Sequence, residues 1–212
     1  MGKDRTRSSL SSDFVNYLVN NPEVDRIPTL VELSRLLGVG IASLREQLEV
    51  ARALGMVEVR PKTGIKRLPF AFTPAVQTSA QFAIDTNPAV FQSFIDLRDH
   101  IEAAYWFEAV GRLTPEDCDR LQALILRANE KLRGQPAQIP HDEHRELHLT
   151  IFRRVDNPFV QGILEAFWNL YELKGLDIYG DLEYLEKVWE YHGKMVSYII
   201  AGNFDAAYQV MI

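Results

Sequence analysis

Residues 27–68, IPTLVELSRLLGVGIASLREQLEVARALGMVEVRPKTGIKRL, constrain the fold more than any other part of the chain. Thr29 followed three residues later by Glu32 has the spacing of a capping box, in which a hydroxyl and a carboxylate satisfy two backbone donors at a helix start. Leu33, Leu36 and Leu37 follow as one apolar stripe. Gly38-Val39-Gly40 then ends the helix, because glycine accepts the left-handed conformation that a tight exit needs. A second helix from about Ile41 turns Leu44, Leu48, Ala51 and Leu54 inward and presents Ser43, Arg45, Gln47 and Arg52 elsewhere, until Gly55 stops it. Residues 57–60 and 65–68 alternate as strands around the turn Pro61-Lys62-Thr63-Gly64. Helix, tight turn, helix and basic hairpin make a winged helix-turn-helix, whose second helix enters a DNA major groove. The alternative is a helical hairpin on a β-ribbon with no ligand. The basic hairpin tip favours DNA, since phosphate contacts need such charge there.

The same segment resembles the N-terminal domain of GntR-type bacterial transcription regulators. Pro28, Glu32, Leu33, Leu37, Gly38, Val39, Leu44, Arg45, Glu46, Leu48, Leu54, Gly55, Val57, Arg60, Pro61 and Gly64 fall in register with that family's pattern. The resemblance implies DNA contacts from Ser43, Arg45 and Gln47 on the second helix and from Lys62, Thr63 and Gly64 on the wing. Two positions depart from it: Val31 and Ile41 stand where the family usually places arginines that touch DNA.

The net charge of −6 fits a DNA-binding chain only when it is divided. Residues 1–70 hold 11 Lys and Arg against 8 Asp and Glu, whereas residues 71–212 hold 12 against 21. A basic head on an acidic body suits a protein of which only the head meets phosphate. The single cysteine, Cys118, forms no intrachain disulfide and points to a reducing compartment. No apolar run reaches the roughly eighteen residues that span a bilayer, and the start MGKDRTRSS has no apolar core of a secretory signal. A cytoplasmic protein without a membrane partner is expected.

Beyond the winged head (residues 1–70), residues 71–88 read as a linker, because Pro69 and Pro74 resist helix. Residues 89–212 read as an all-α antiparallel bundle that binds an effector and dimerises. Helices are expected at about 89–112, 115–133, 141–155, 159–173 and 181–201, with a last one after Gly202-Asn203. The fold class is thus mostly α, a winged helix-turn-helix followed by a bundle. The bundle resembles the FCD domain, the effector domain that often follows such heads. The resemblance rests on Leu97-Arg98 with Ile101-Glu102, Leu113-Thr114, Leu147-His148, Asp156-Asn157-Pro158, Glu190 to His192, and Ala201-Gly202-Asn203-Phe204-Asp205-Ala206-Ala207.

The candidate chemistry of the bundle is a histidine cluster. His144 and His148 lie four apart on a predicted helix and so share one face, His141 lies one turn earlier, and His192 sits among Val188, Met195, Val196 and Ile199. Three neutral imidazoles suit zinc or nickel better than magnesium. The alternative is that these are ordinary hydrogen-bonded helix residues. In many FCD domains an aspartate, a histidine four residues later and two further histidines hold a metal. His148 and His192 match two of those positions, His144 occupies the aspartate position, and the last would fall about two residues past Ile212. The final helix still shows apolar spacing there without a stop signal.

Arg98 resembles the arginine that many FCD domains aim into an effector cavity, where it takes a carboxylate. Its alternative is a surface i,i+4 pair with Glu102. Tyr105 and Asn157 are further effector-site candidates, with Trp168, Tyr171 and Lys174 as possible lining. The reading is a homodimeric, ligand-responsive regulator that binds a twofold-related operator, with a small organic acid as effector. A metal-dependent bundle enzyme and a metal-free sensor of acyl ligands are the rivals. No nucleophile–base pair, carboxylate dyad or phosphate-cradling loop supports the enzyme.

Overall fold

The computed structural model describes residues 12–174 and 182–211, without the side chains of 172–174. Asp181, the expected start of the fifth bundle helix, and the side chain of Lys174 therefore lie outside the described residues. The chain divides into two compact units, Met1–Ala75 and Val76–Ile212.

The first unit runs α1 (Asp13–Asn20), β1 (Arg26–Ile27), α2 (Leu30–Leu37), α3 (Ile41–Ala53), β2 (Val57–Arg60) and β3 (Gly64–Arg67). The capping box forms: the Glu32 amide donates to Thr29 Oγ1 and the Thr29 amide donates to Glu32 Oε2. Gly38 ends α2 at φ +69°, and its amide donates to the Ser34 carbonyl. Gly55 adopts φ +72°, and a Cβ there would stand 2.6 Å from Pro74 Cγ, so both conformation and space require glycine. β3 lies between β1 and β2, antiparallel to both, with Ile65 opposite Ile27 on one side and Val59 on the other. The core is Phe14, Leu18, Ile27, Leu33, Leu44, Leu48, Ala51, Val57 and Ile65.

Two details differ from the sequence expectation. Leu36 leaves the apolar stripe and is 64% exposed, whereas Leu33 is fully buried and Leu37 packs against the same core. The head also has a helix and a strand beyond those expected from residues 27–68. α1 is capped by Ser12 and contributes Phe14, Tyr17 and Leu18, and β1 completes the sheet. Arg67, part of the basic hairpin, turns inward: its guanidinium donates to the carbonyls of Leu18, Asn21 and Val24 and ties the wing to the end of α1.

The linker expected at residues 71–88 is largely helix. α4 spans Thr73–Thr86. Pro74 falls in its first turn, where no amide is needed, so proline does not prevent the helix. Ile84 is buried against Phe91, Phe94 and Phe167, which gives α4 an apolar contact within the second unit.

The second unit continues with α5 (Val90–Gly111), α6 (Pro115–Arg133), α7 (His141–Phe152), α8 (Pro158–Lys174), α9 (Leu182–Ile200) and α10 (Phe204–Met211). α6 packs on α7 and α9, and α5 on α7 and α8. The main core gathers Trp106, Leu121, Leu124, Leu147, Ile151 and Trp189. Among the described residues no helix is long and apolar enough to cross a membrane.

Asp117 locks the start of α6. It closes a capping box with Thr114 and also bonds Arg153 and Arg154 near the end of α7, although its side chain is 2% exposed. Burial alone would raise its carboxyl pKa. Bonds from Arg154 and from the Thr114 amide and hydroxyl, with the charge of Arg153, outweigh burial and hold it down to about 2. Asp117→Ala is therefore expected to cost about 2–3 kcal/mol, about 1 from the lost cap and about 1.5 from the lost charge-assisted bonds to Arg153 and Arg154, whose guanidinium groups remain partly exposed, read by chemical denaturation. The native carboxyl binds its proton less readily than the unfolded one, whose ordinary value is 3.8. Its contribution is thus complete above about pH 4 and fades as pH falls towards 2. A variant whose deficit were the same at acidic and neutral pH would contradict this account.

Candidate functional site

α7 presents His144 and His148 one turn apart, and α9 brings His192 to meet them. One nitrogen from each lies within 4.8 Å of the other two, and His148 Nε2 is 3.2 Å from His192 Nε2. The rings are held from behind. His192 Nδ1 is 2.7 Å from the Val188 carbonyl, which can only accept, so that nitrogen carries the hydrogen. His148 Nδ1 lies 3.1 and 3.2 Å from the two oxygens of Glu102, and the His148 ring stacks on Trp168 at 4.4 Å. Glu102 is 1% exposed and takes a second bond, 2.9 Å, from Arg98 Nη1. Arg98 Nη1 also pairs with Asp99 at 3.2 Å, and the guanidinium lies over Phe167 and Trp168. Arg98 Nε is buried with no hydrogen-bond partner among the described residues.

The charges follow from this packing. Burial pushes His144 well below the usual histidine pKa, helped by the charges of His192 and His148. Burial and His148 push His192 down to about 3, against the opposing bond to Val188. Burial would raise Glu102, but His148 and then Arg98 outweigh it and hold the carboxyl down to about 2. Near neutral pH the site therefore contains an ionised carboxylate and two neutral imidazoles.

The donor set fits a divalent transition ion. Metal–nitrogen bonds of about 2.0–2.1 Å place neighbouring ligand nitrogens about 2.9–3.4 Å apart, which matches His148 and His192. Two Nε2 atoms at 3.2 Å, each with its other nitrogen on an acceptor, need a positive centre between them, either a proton or a metal ion. His100 stays outside: it is exposed and turned back on Asp96.

Beside the histidines opens a cavity of about 230 Å³, lined by Arg98, His141, Tyr171, Tyr184, Trp189 and Met195 among others. Arg98 thus faces the same space as the histidines, and its Glu102 pair is buried rather than on the surface. Tyr105 and Asn157, the other effector-site candidates, are not among its lining residues. Asn157 Oδ1 accepts the amides of Phe159 and Val160 and caps α8, while its amide donates to the Tyr105 hydroxyl. Glu102 joins the site without having been expected there. A signal for it exists, since Phe91, Phe94, Arg98, Glu102, Trp106 and Ala109 recur at three and four residues along the buried line of α5.

In the head, Ser43 and Arg45 on α3 and Lys62, Thr63 and Gly64 on the wing are exposed. Lys62 adopts φ +70° at the hairpin tip. Val31 and Ile41 are 48% and 39% exposed, so they do not fill the core. Gln47 faces inward instead of towards a groove: its Oε1 accepts the Phe14 amide at 2.8 Å and the Ser12 hydroxyl at 3.1 Å, and its amide donates to Ser43 Oγ.

The model of the FCD domain matches residues 93–212, more than half of the chain. The chain belongs to the FCD family. That family is one of transcription regulators, which removes the bundle enzyme as a reading. Among solved structures the chain is similar to a Streptococcus agalactiae GntR protein, with 19% identity, a TM-score of 0.65 and coverage of 94% of this chain and 92% of that one. This likeness concerns the fold. The E. coli McbR/YncC structure is 18% identical, with a TM-score of 0.49 over 93% of this chain and 89% of that one. A search of curated proteins gives no match.

Proposed function

We propose that this FCD-family chain is a DNA-binding regulator whose bundle takes a small organic acid together with a divalent transition ion, zinc or nickel. The observation that carries the reading is a single cavity bearing three neighbouring histidines and an arginine whose buried Nε–H has no partner among the described residues. His144, His148 and His192 are the residues that would hold the ion. Bound there, the ion supplies positive charge for a carboxylate oxygen. Arg98 Nε–H is the protein's own donor to the acid, since Nη1 is already engaged by Glu102 and Asp99. Two copies would place their heads on a twofold-related operator, and the acid acts only through its difference in affinity for the DNA-bound and free arrangements. Recovery of bound fragments from a pool of genomic DNA, with metal analysis of protein purified without a nickel column, tests both halves. Protein that retains no fragment above background and carries no metal would end the reading.

The DNA contacts divide by chemistry. Arg45, exposed on α3, is the base-reading residue, and Arg45→Ala should cost about 1–3 kcal/mol at the recovered site. Lys62, at the wing tip, is a phosphate contact, so Lys62→Ala should weaken all sequences alike and flatten the salt dependence. Gln47→Ala should instead lower head stability, because it removes the acceptor at the start of α1. Electrophoretic titrations at two salt concentrations separate these effects. Unchanged affinity for both Arg45→Ala and Lys62→Ala would reject the assignment of α3 and the wing to DNA.

A further inference from the structure

We propose that Glu102 is the positioning residue of the metal site: its carboxylate fixes the hydrogen of His148 on Nδ1 and so turns the lone pair of Nε2 towards His192 and His144. This deepens the metal reading above and rests on it. Glu102 lies on the buried line of α5, below Phe91 and Phe94 and one turn before Trp106, so packing carries a carboxylate into the interior. An unpaired charge there would be costly, and Glu102 has two partners, Arg98 Nη1 on Oε2 and His148 Nδ1 across both oxygens. An ionised carboxylate only accepts, so the N–H of this contact belongs to the imidazole.

The consequence appears at the other side of the ring. His192 is fixed in the same sense by the Val188 carbonyl, so its Nε2 faces His148 as an acceptor. If His148 were free to carry its hydrogen on Nε2 alone, that hydrogen would point at His192 Nε2 across 3.2 Å. The two rings would then satisfy each other and close the space to an ion. Glu102 makes this arrangement unfavourable, because it would leave the His148 Nδ1 lone pair against a carboxylate. Arg98 completes the relay: its Nη1, 2.9 Å from Oε2, holds the carboxylate in place against His148 Nδ1. The negative charge also lies one imidazole away from where a divalent cation would sit, and there it would strengthen Nε2 as an electron-pair donor to the metal.

The test compares the full chain with Glu102→Gln, which keeps size and one acceptor but removes the charge. Zinc affinity, measured by competition with a chromophoric chelator, is expected to fall about 10–100-fold. Long-range proton–nitrogen spectra of the metal-free wild-type chain should show His148 with hydrogen on Nδ1, and the variant should lose that single assignment. A merely structural role for Glu102 would lower the melting temperature without moving either reading. If wild-type protein binds zinc and Glu102→Gln binds it within twofold as well, the inference is overturned and the metal reading stands. If wild-type protein takes up no zinc, both fall. Should the variant fail to fold, the wild-type spectrum still decides: His148 carrying its hydrogen on Nε2 alone overturns the inference.

Discussion

Metal-stripped protein carrying His192→Ala is expected to bind zinc at least about 100-fold more weakly than the wild-type chain, the result of losing one of three imidazole ligands. The effect should be large because α9 contributes only this histidine to a site otherwise built on α7. Thermal stabilisation gives a clean reading. With zinc at about 100 times the wild-type Kd, binding stabilises the fold by about 2.7 kcal/mol, and a 100-fold weaker Kd leaves only about 0.4 kcal/mol at the same concentration. Each protein is compared with its own metal-free form, so any packing defect from the lost ring cancels. An undiminished zinc-dependent rise in melting temperature would exclude His192 from the site. His100→Ala, at an exposed position paired with Asp96, should leave the rise unchanged.

The largest loss of stability is expected from Trp106→Ala, at about 3–5 kcal/mol. Trp106 is fully buried, and its Nε1–H donates to the Phe204 carbonyl at 3.2 Å. Its ring also meets Phe152 and Tyr208, so one side chain on α5 joins α7 and α10. Truncation leaves a cavity where these helices meet and removes a bond to the first residue of α10. In a unit of this size the bundle transition should fall by about 6–20 °C, which calorimetry would resolve. The adjacent Phe107 is 51% exposed, and its replacement by alanine should cost less than about 1 kcal/mol. Similar losses at both positions would mean that burial does not govern the stability of α5.

The elements legible in the sequence are those written in neighbouring residues. The Thr29–Glu32 box, the Gly38 exit, the Thr114-Pro115 start of α6 and the hairpin turn each depend on hydrogen bonds or dihedrals within a few positions. β1 is not legible, because two residues carry no alternation and Arg26–Ile27 become a strand only by pairing with β3. α1 carries its signals in the Ser12 cap and the spacing of Phe14, Tyr17 and Leu18, but its closing partner, Gln47, lies more than thirty residues away. That long bond also explains why Gln47 resembles a groove residue in the sequence: helix periodicity gives the face, not what covers it. α4 reads as a linker only if Pro74 is a breaker, and in a first turn proline breaks nothing.

The candidate site divides in the same way. Spacing alone puts His144 and His148 on one face of α7, and apolar neighbours turn His192 inward. Residue order also gives the capping box, the wing and the likeness to the FCD family. Only the tertiary structure decides that His192, 44 positions beyond His148, brings its nitrogen to 3.2 Å, and that the Arg98–Glu102 pair lies beneath His148 instead of in solvent. It also removes Tyr105 and Asn157 from the cavity by giving them to each other and to the α8 cap. The physical reason is that helical spacing fixes which side chains share a face of one helix, whereas a ligand set and a buried charge arise between helices. Distance, desolvation and hydrogen-bond partner there are set by packing, which joins residues that the chain keeps far apart.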